Sequence, residues 1–312
     1  MPFRATFDCL WCGKPWQTRS TGDLEGWAAL CSDCLGKAGD NPFLAFRLRA
    51  GLAERSRTGS GAPAGPPASA PTPVPPDPGH AARGMDSAQL AANVRDWFAA
   101  LGAGWDDVYL RRGRYTRGPV RDIAWEMELD AATQWLDRLP LRGEIVELAA
   151  GTGWWSPLIA GKGELSLYDT NEAALDVARR RLVAHGLRAH LHVRDAWAEP
   201  DHPVDGVFTG FWLSLVSDDR LPGFLQLVGR WLKPGGAFAF IDRKGDPETD
   251  AVDDPLPQGG LARRRLPDGR EVLIPVVTRD RAALSDALRQ AGFSGAELTE
   301  TGRFFMMGVA HR

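Results

Sequence analysis

The chain has 312 residues, of which 44% are apolar and 25% charged, and it carries a formal net charge of -3. That composition describes a soluble globular protein with room for about two domains, and it offers no basic excess to attract a polyanion. No uninterrupted apolar stretch reaches the roughly 18 residues of a membrane span, and the N-terminus MPFRATFDCLWCGK lacks the apolar core of a signal peptide. The cytoplasm is therefore the expected compartment.

All four cysteines fall in the first 34 residues, as CLWC (Cys9, Cys12) and CSDC (Cys31, Cys34). Two disulfides or two redox pairs are alternatives to set beside a metal site. Paired Cys-x-x-Cys knuckles at this separation let four thiolates close a tetrahedron around zinc, which stabilises a fold too small for a sufficient core of its own. With four protein ligands such a zinc has no open coordination position, so the expected site is structural. Residues 1–55 are read as a zinc-ribbon-like domain. Its last part, NPFLAFRLRAGLAER, starts with Asn41 as N-cap and Pro42 in the first turn of a short amphipathic helix.

Residues 56–84, SRTGSGAPAGPPASAPTPVPPDPGHAARG, are rich in Pro, Ala, Gly and Ser without periodicity. Such a segment buries too little apolar surface to offset its ordering, and it is expected to be a flexible tether between two domains. Six basic and six acidic side chains in residues 1–54 balance, so the N-terminal part is not a basic module that would mark a nucleic-acid handle.

From residue 85 to residue 312 helical patterns come first: DSAQLAANVRDWFAAL, then RGPVRDIAWEMELDAATQWLDRL. After Arg142 strand patterns (GEIVELAA, ELSLYD, RAHLHVRDA, PVDGVFTGFWLS, GGAFAFIDR) alternate with helical ones, TNEAALDVARRRLVAHG and DDRLPGFLQLVGRWL among them. This alternation predicts a doubly wound α/β domain, a parallel sheet covered on both faces. Ligands of such sheets sit beyond the carboxyl ends of the strands, and here the first strand-to-helix turn is Ala149-Ala150-Gly151-Thr152-Gly153 behind Glu147. Free amides at the turn suit an anionic group, either a pyrophosphate or an amino-acid carboxylate. Ser156 stands where a dinucleotide fingerprint calls for a third Gly or Ala. Two further acids close later strands, Asp169 in LYDTN and Asp195 in VRDAW.

On these residues, over about residues 86–312, the chain resembles the class I S-adenosylmethionine-dependent methyltransferases. Their acidic, glycine-rich pattern falls on Glu147, Ala149, Gly151 and Gly153, with alanine at the first glycine position. The resemblance implies a Rossmann-like seven-stranded sheet. It also implies that Glu147 and the turn hold the methionine end of S-adenosylmethionine, that Asp169 binds the ribose hydroxyls, and that Asp195 binds the adenine amine with Ala196 and Trp197 flanking the ring. WLKPGGAFAFID resembles the entry to the family's fifth strand, and LPDGREVLIPVV and GRFFMMGVAHR resemble its closing antiparallel strands.

The acceptor region after the fourth strand, TGFWLSLV, lacks the Asn/Asp-Pro-Pro-aromatic signature of amine-methylating relatives and has Leu215 where a similar subgroup has histidine. Tyr115, Trp212 and Ser214 are candidates for shaping the acceptor pocket, and the basic YLRRGRYTRG segment is either a flap over the site or a solvated loop. The expected activity is methyl transfer to a small organic metabolite. An RNA or protein methyltransferase using the zinc ribbon as substrate handle, and a non-catalytic scaffold that recruits a protein partner, are the alternatives.

Overall fold

The computed structural model describes residues 6–8, 15–17, 86–244 and 260–312. Two short strands, β1 (Thr6–Asp8) and β2 (Pro15–Gln17), pair antiparallel with Phe7 opposite Trp16. The four cysteines, the helix expected after Asn41 and the tether at 56–84 lie outside the described residues.

Helix α1 (Ser87–Leu101) starts where Asp86 accepts the Gln89 amide at 2.8 Å, which satisfies one of the amide donors a helix start leaves free. A 3-10 turn (Gly102–Trp105), a short helix α2 (Asp106–Tyr109) and a second 3-10 turn (Gly113–Tyr115) lead to α3 (Pro119–Arg138), which has proline in its first turn. Trp125, Leu129, Ala132 and Leu136 recur every three or four residues along α3 and are buried, so one stripe of this helix seats on the sheet.

The strand–helix alternation then follows the sequence reading closely: β3 (Glu144–Leu148), α4 (Ser156–Ala160), β4 (Glu164–Asp169), α5 (Glu172–Ala184), β5 (His190–Val193), β6 (Val204–Gly210), α6 (Leu221–Trp231) and β7 (Leu232–Arg243). A hairpin, β8 (Leu261–Arg265) and β9 (Glu271–Pro275), precedes α7 (Arg281–Gln290), β10 (Ser294–Glu300) and β11 (Phe305–His311). The main sheet has seven strands in the order β10-β11-β7-β6-β3-β4-β5. Neighbours from β5 to β7 run parallel, and β11 runs antiparallel to both β7 and β10, so the sheet is mixed.

Successive residues of each strand point to opposite faces, and the core divides accordingly. Ile145, Leu167, Phe208 and Ile241 join α3 and α5 on one side, while Val146, Leu148, Val207 and Phe238 join α6 and α7 on the other. A third, smaller cluster packs α1 against the β8–β9 hairpin through Val94, Trp97, Leu266 and Ile274, and the Asn93 amide donates to the Leu273 carbonyl at 2.8 Å.

Two expectations need correction. LPDGREVLIPVV does not supply a strand of the main sheet, because Glu271–Pro275 pairs with Leu261–Arg265 in a separate hairpin. The edge strand is instead Ser294–Glu300, in which exposed and half-buried residues alternate as they do on an edge with one covered face. The fourth-strand segment stops at Gly210, and Leu213–Leu215 form a 3-10 turn. The Ser214 amide of that turn donates to the buried carboxylate of Asp242 at 3.0 Å.

Candidate functional site

The carboxyl ends of β3, β4 and β6 and the loop after β5 open into a cleft of about 840 Å³. Glu147, Ala149, Gly151, Asp169, Asp195 and Ala196 all line it, each carried there by the strand or strand-end loop in which the sequence places it. Gly153 and Trp197 lie behind the lining. A Cβ on Gly153 would stand 2.6 Å from the Cβ of Ala178 and 2.8 Å from Ser156 Oγ, so this glycine lets α5 and α4 close onto the turn. Trp197 packs edge-on against Phe224 and beneath the Arg220 guanidinium, 4.0 Å from its ring, while its amide donates to Asp195 Oδ1 at 3.0 Å.

The turn is held from both sides. Asp169 accepts the Gly151 amide through Oδ2 and the Asn171 amide through Oδ1, each at 2.8 Å. Arg181, from α5, donates to the Thr152 carbonyl and to Asp106, which ties the turn to α2. Ala149, Gly151 and Gly153 all have positive φ, at 53°, 54° and 67°. Ala149 therefore occupies a left-handed conformation that costs a Cβ-bearing residue roughly 1–2 kcal/mol.

Glu147 is buried and accepts the Ser156 hydroxyl at 2.6 Å. Burial pushes its carboxyl up to about 8; the Ser156 hydrogen bond and Arg181 oppose that shift, and Asp169 adds to it. Asp169 is also raised, by burial first, against the pull of its two amide donors. Beside them burial raises the Tyr109 phenol well above its usual range. The described lining of the cleft carries three carboxylates, Glu147, Asp169 and Asp195, and one guanidinium, Arg95. Arg95 reaches from α1 to within 3.5 Å of Asp195. Glu147 is largely protonated at neutral pH, but Asp169 and Asp195 still outnumber Arg95, so the field of the cleft favours a ligand with positive charge.

Several lining residues escaped the sequence reading: Val94, Arg95 and Phe98 on α1, Trp105 beside them, and Asn171 at the start of α5. Aspartate at 86 and the periodicity of α1 announce a helix, but not that this helix roofs the cleft. Trp154 and Trp155 both reach the lining, Trp154 stacked on Tyr109 with centroids 4.5 Å apart. Trp155 fits because Gly210 has no Cβ, which would stand 2.6 Å from its ring.

The acceptor candidates separate. Trp212 lines the cleft, and its indole N–H is buried without a hydrogen-bond partner among the described residues. Ser214 is buried away from it. Tyr115 lines a second cavity, which shares Phe98, Trp105, Phe211 and Leu215 with the first. Arg111 of the basic segment is buried, 3.7 Å above the Trp125 ring, and lines this second cavity, whereas Arg112 is exposed. His185 and His190 are exposed, and His192 stacks on Tyr168 with centroids 4.6 Å apart.

Comparison with known proteins fits this geometry. Residues 145–236 match the family model for a methyltransferase domain. The chain is 34% identical over 113 residues to the ubiquinone/menaquinone biosynthesis C-methyltransferase UbiE of Coxiella burnetii, covering 34% of this chain and 44% of that protein. It is 36% identical over 137 residues to the dimethylglycine N-methyltransferase of Parasynechococcus marenigrum, covering 42% of this chain and 48% of the relative. The matched region thus spans less than half the length of these curated relatives. A solved DhpI-SAH complex superposes with a TM-score of 0.58 at 26% identity, over 72% of this chain and 98% of the other. The fold is thus that of a class I methyltransferase, and over the matched region the chain is similar to S-adenosylmethionine-dependent methyltransferases.

Proposed function

We propose that the chain is an S-adenosylmethionine-dependent methyltransferase acting on a small organic molecule. The observation that carries this reading is the convergence of Glu147, Asp169 and Asp195 on one cleft beside the Gly151 turn, an acidic site suited to a cationic ligand. The names of the relatives, C- and N-methyltransferases of small molecules, support the same class of acceptor.

In this reading Glu147, Ala149, Gly151 and Gly153 secure the methionine end, Gly153 through packing. Asp169 takes the ribose hydroxyls, and Asp195 and Ala196 take the adenine with Trp197 backing Asp195. The free indole N–H of Trp212 and the acidic lining fit such a ligand. S-adenosylmethionine supplies a methyl group on a positively charged sulfur, whose bonding pair stays with sulfur as the acceptor's pair takes the carbon. The chain's part is alignment and exclusion of water: α1 and the Trp105–Tyr109–Trp154 aromatic wall cover the cleft.

Reading the N-terminus as a zinc ribbon fits the β1–β2 hairpin, whose connection, residues 9–14, contains Cys9 and Cys12 of the set Cys9, Cys12, Cys31 and Cys34. No group of metal-binding side chains occurs among the described residues. Metal analysis of the full chain tests this part of the proposal, with one zinc per chain expected and none as the contrary result. No helix among the described residues is long and apolar enough to cross a membrane; a cytoplasmic location belongs to the same proposal.

The catalytic reading is tested by following label from methyl-tritiated S-adenosylmethionine into fractionated cell extract. Label among low-mass compounds supports it, and label confined to RNA or protein overturns the small-molecule acceptor.

A further inference from the structure

Leu213, Ser214, Leu215 and Val216 are all buried, yet they form a 3-10 turn and its last flank rather than a strand or a full helix. Buried backbone polar groups need partners, and a turn this short supplies few of its own. The Leu215 amide donates to the Trp212 carbonyl at 2.9 Å and the Val216 amide to the Leu213 carbonyl at 3.1 Å. The other partners come from later in the chain. The Ser214 amide donates to Asp242 Oδ2 at 3.0 Å, and the Ser214 carbonyl accepts the Val277 amide at 2.8 Å. Arg279 donates to the Leu213 carbonyl at 2.8 Å and to the Val216 carbonyl at 2.6 Å, so one guanidinium holds both ends of the turn.

The Arg279 side chain is itself only 7% exposed, and its charge is met at 2.8 Å by Asp218. It lies between β9 and α7, on the segment that continues the hairpin packed against α1. A planar guanidinium presents its donors in a fixed fork and can hold two carbonyls and a carboxylate together, which a flexible ammonium does with less geometric definition. On the other side Asp242, near the end of β7, is buried and takes the Arg243 amide at 2.7 Å through its second oxygen. The turn is clamped between these two residues.

What the clamp holds is lining of the cleft. Trp212 and Leu215 both line it, and Leu215 packs in one cluster with Val94 of α1 and Val276. Phe211, which leads into the turn, has a φ of 54°, and a residue with a Cβ persists there where its surroundings fix it. Glu147, Asp169 and Asp195 take no part in any of the bonds that hold the turn.

We infer that Arg279 and Asp242 are positioning residues of the methyl-transfer site: they fix the Leu213–Leu215 turn so that Trp212 and Leu215 form a rigid wall that aligns the acceptor with the methyl group. The inference rests on the methyltransferase reading, which puts the cofactor on the strand ends that carry the three carboxylates. Loosening the clamp then acts on alignment in the transition state more than on cofactor binding.

The test labels the full chain with 5-fluorotryptophan and records fluorine NMR with and without S-adenosylhomocysteine. Trp212→Phe identifies the Trp212 line, and Trp135→Phe identifies a reference line from α3. Turnover is read as transfer of label from methyl-tritiated S-adenosylmethionine to the low-mass fraction of cell extract. Arg279→Gln is expected to shift or broaden the Trp212 line while the Trp135 line stays. It should also slow label transfer about tenfold or more, with S-adenosylhomocysteine affinity changed about threefold or less. Arg279→Lys keeps the charge and should recover part of the turnover. Asp242→Asn keeps an acceptor for the Ser214 amide and should fall between the parent chain and Asp242→Ala, so the clamp is read from both sides even where one variant does not fold. A Trp212 line and a turnover both unchanged in Arg279→Gln overturn the inference. So does a loss of turnover matched by an equal loss of S-adenosylhomocysteine affinity and by movement of the Trp135 line, the signature of general loosening. If the parent chain neither binds S-adenosylhomocysteine nor transfers label, it is the methyltransferase reading that fails, while the Trp212 line still decides whether Arg279 holds the turn.

Discussion

Asp169 accepts the Gly151 amide at 2.8 Å, so the carboxylate that ends strand β4 also fixes the glycine turn that follows β3. With its other oxygen engaged by the Asn171 amide, the residue is a structural clamp as well as a candidate ligand. Asp169→Ala leaves two partly buried amides without their charged acceptor, and stability should fall by about 1–3 kcal/mol in chemical denaturation. Asp169→Asn retains an acceptor oxygen, so it should lose less stability than the alanine variant yet still lose cofactor affinity. Equal stability losses in the two would deny the clamp.

Ala149 stands at a φ of 53° in a position where the family pattern has glycine. Ala149→Gly removes the clash of a Cβ in the left-handed region, partly offset by the greater freedom of glycine in the unfolded chain. A net stabilisation of about 0.5–1 kcal/mol is expected from denaturation midpoints. Unchanged or lower stability would mean that the turn carries no strain at this residue.

Gly153 is the opposite case. A side chain there has both an unfavourable φ of 67° and contact with Ala178 at 2.6 Å. Gly153→Ala should destabilise by about 2–4 kcal/mol and weaken the cofactor site by displacing Ser156 from Glu147. Melting temperature and S-adenosylhomocysteine affinity should fall together.

Glu147 sets a pH dependence. Burial raises its folded-state carboxyl to about 8 from an ordinary value of 4.5, so between those values the folded protein binds more protons than the unfolded one. Its contribution to stability is therefore present below about pH 4.5 and is lost as the pH rises to about 8. Asp169, Asp242 and Glu128, also raised, act with the same sign. Glu147→Gln should melt higher than the parent near pH 8 without ligand and show a flatter pH profile, while binding the cofactor more weakly. A profile unchanged by the substitution would contradict this.

Much of this was legible in the sequence because acids at strand ends and glycines after a buried strand are local features. ELSLYD became β4 with Asp169 as its last residue, and Glu147, Asp169 and Asp195 face one cleft as their strand-end positions suggest. What escaped depends on contacts distant along the chain. Arg95 meets Asp195 across 100 positions, and Arg111 meets Arg264 in one cavity only because α1 and the β8–β9 hairpin fold over the same edge. EVLIP has the apolar pattern of a sheet strand, but its partner is the adjacent LARRR rather than β7. SGAELTE, poor in large apolar residues, gave little strand signal and owes its place to pairing with the strongly apolar β11.

The most direct test of the account is calorimetric titration of the full chain with S-adenosylmethionine, side by side with Asp169→Ala. The account predicts one-to-one binding to the parent chain and a loss of affinity of about a hundredfold or more in the variant, from the lost diol contacts and the loosened turn. No binding to the parent, or binding that the substitution leaves intact, would contradict it.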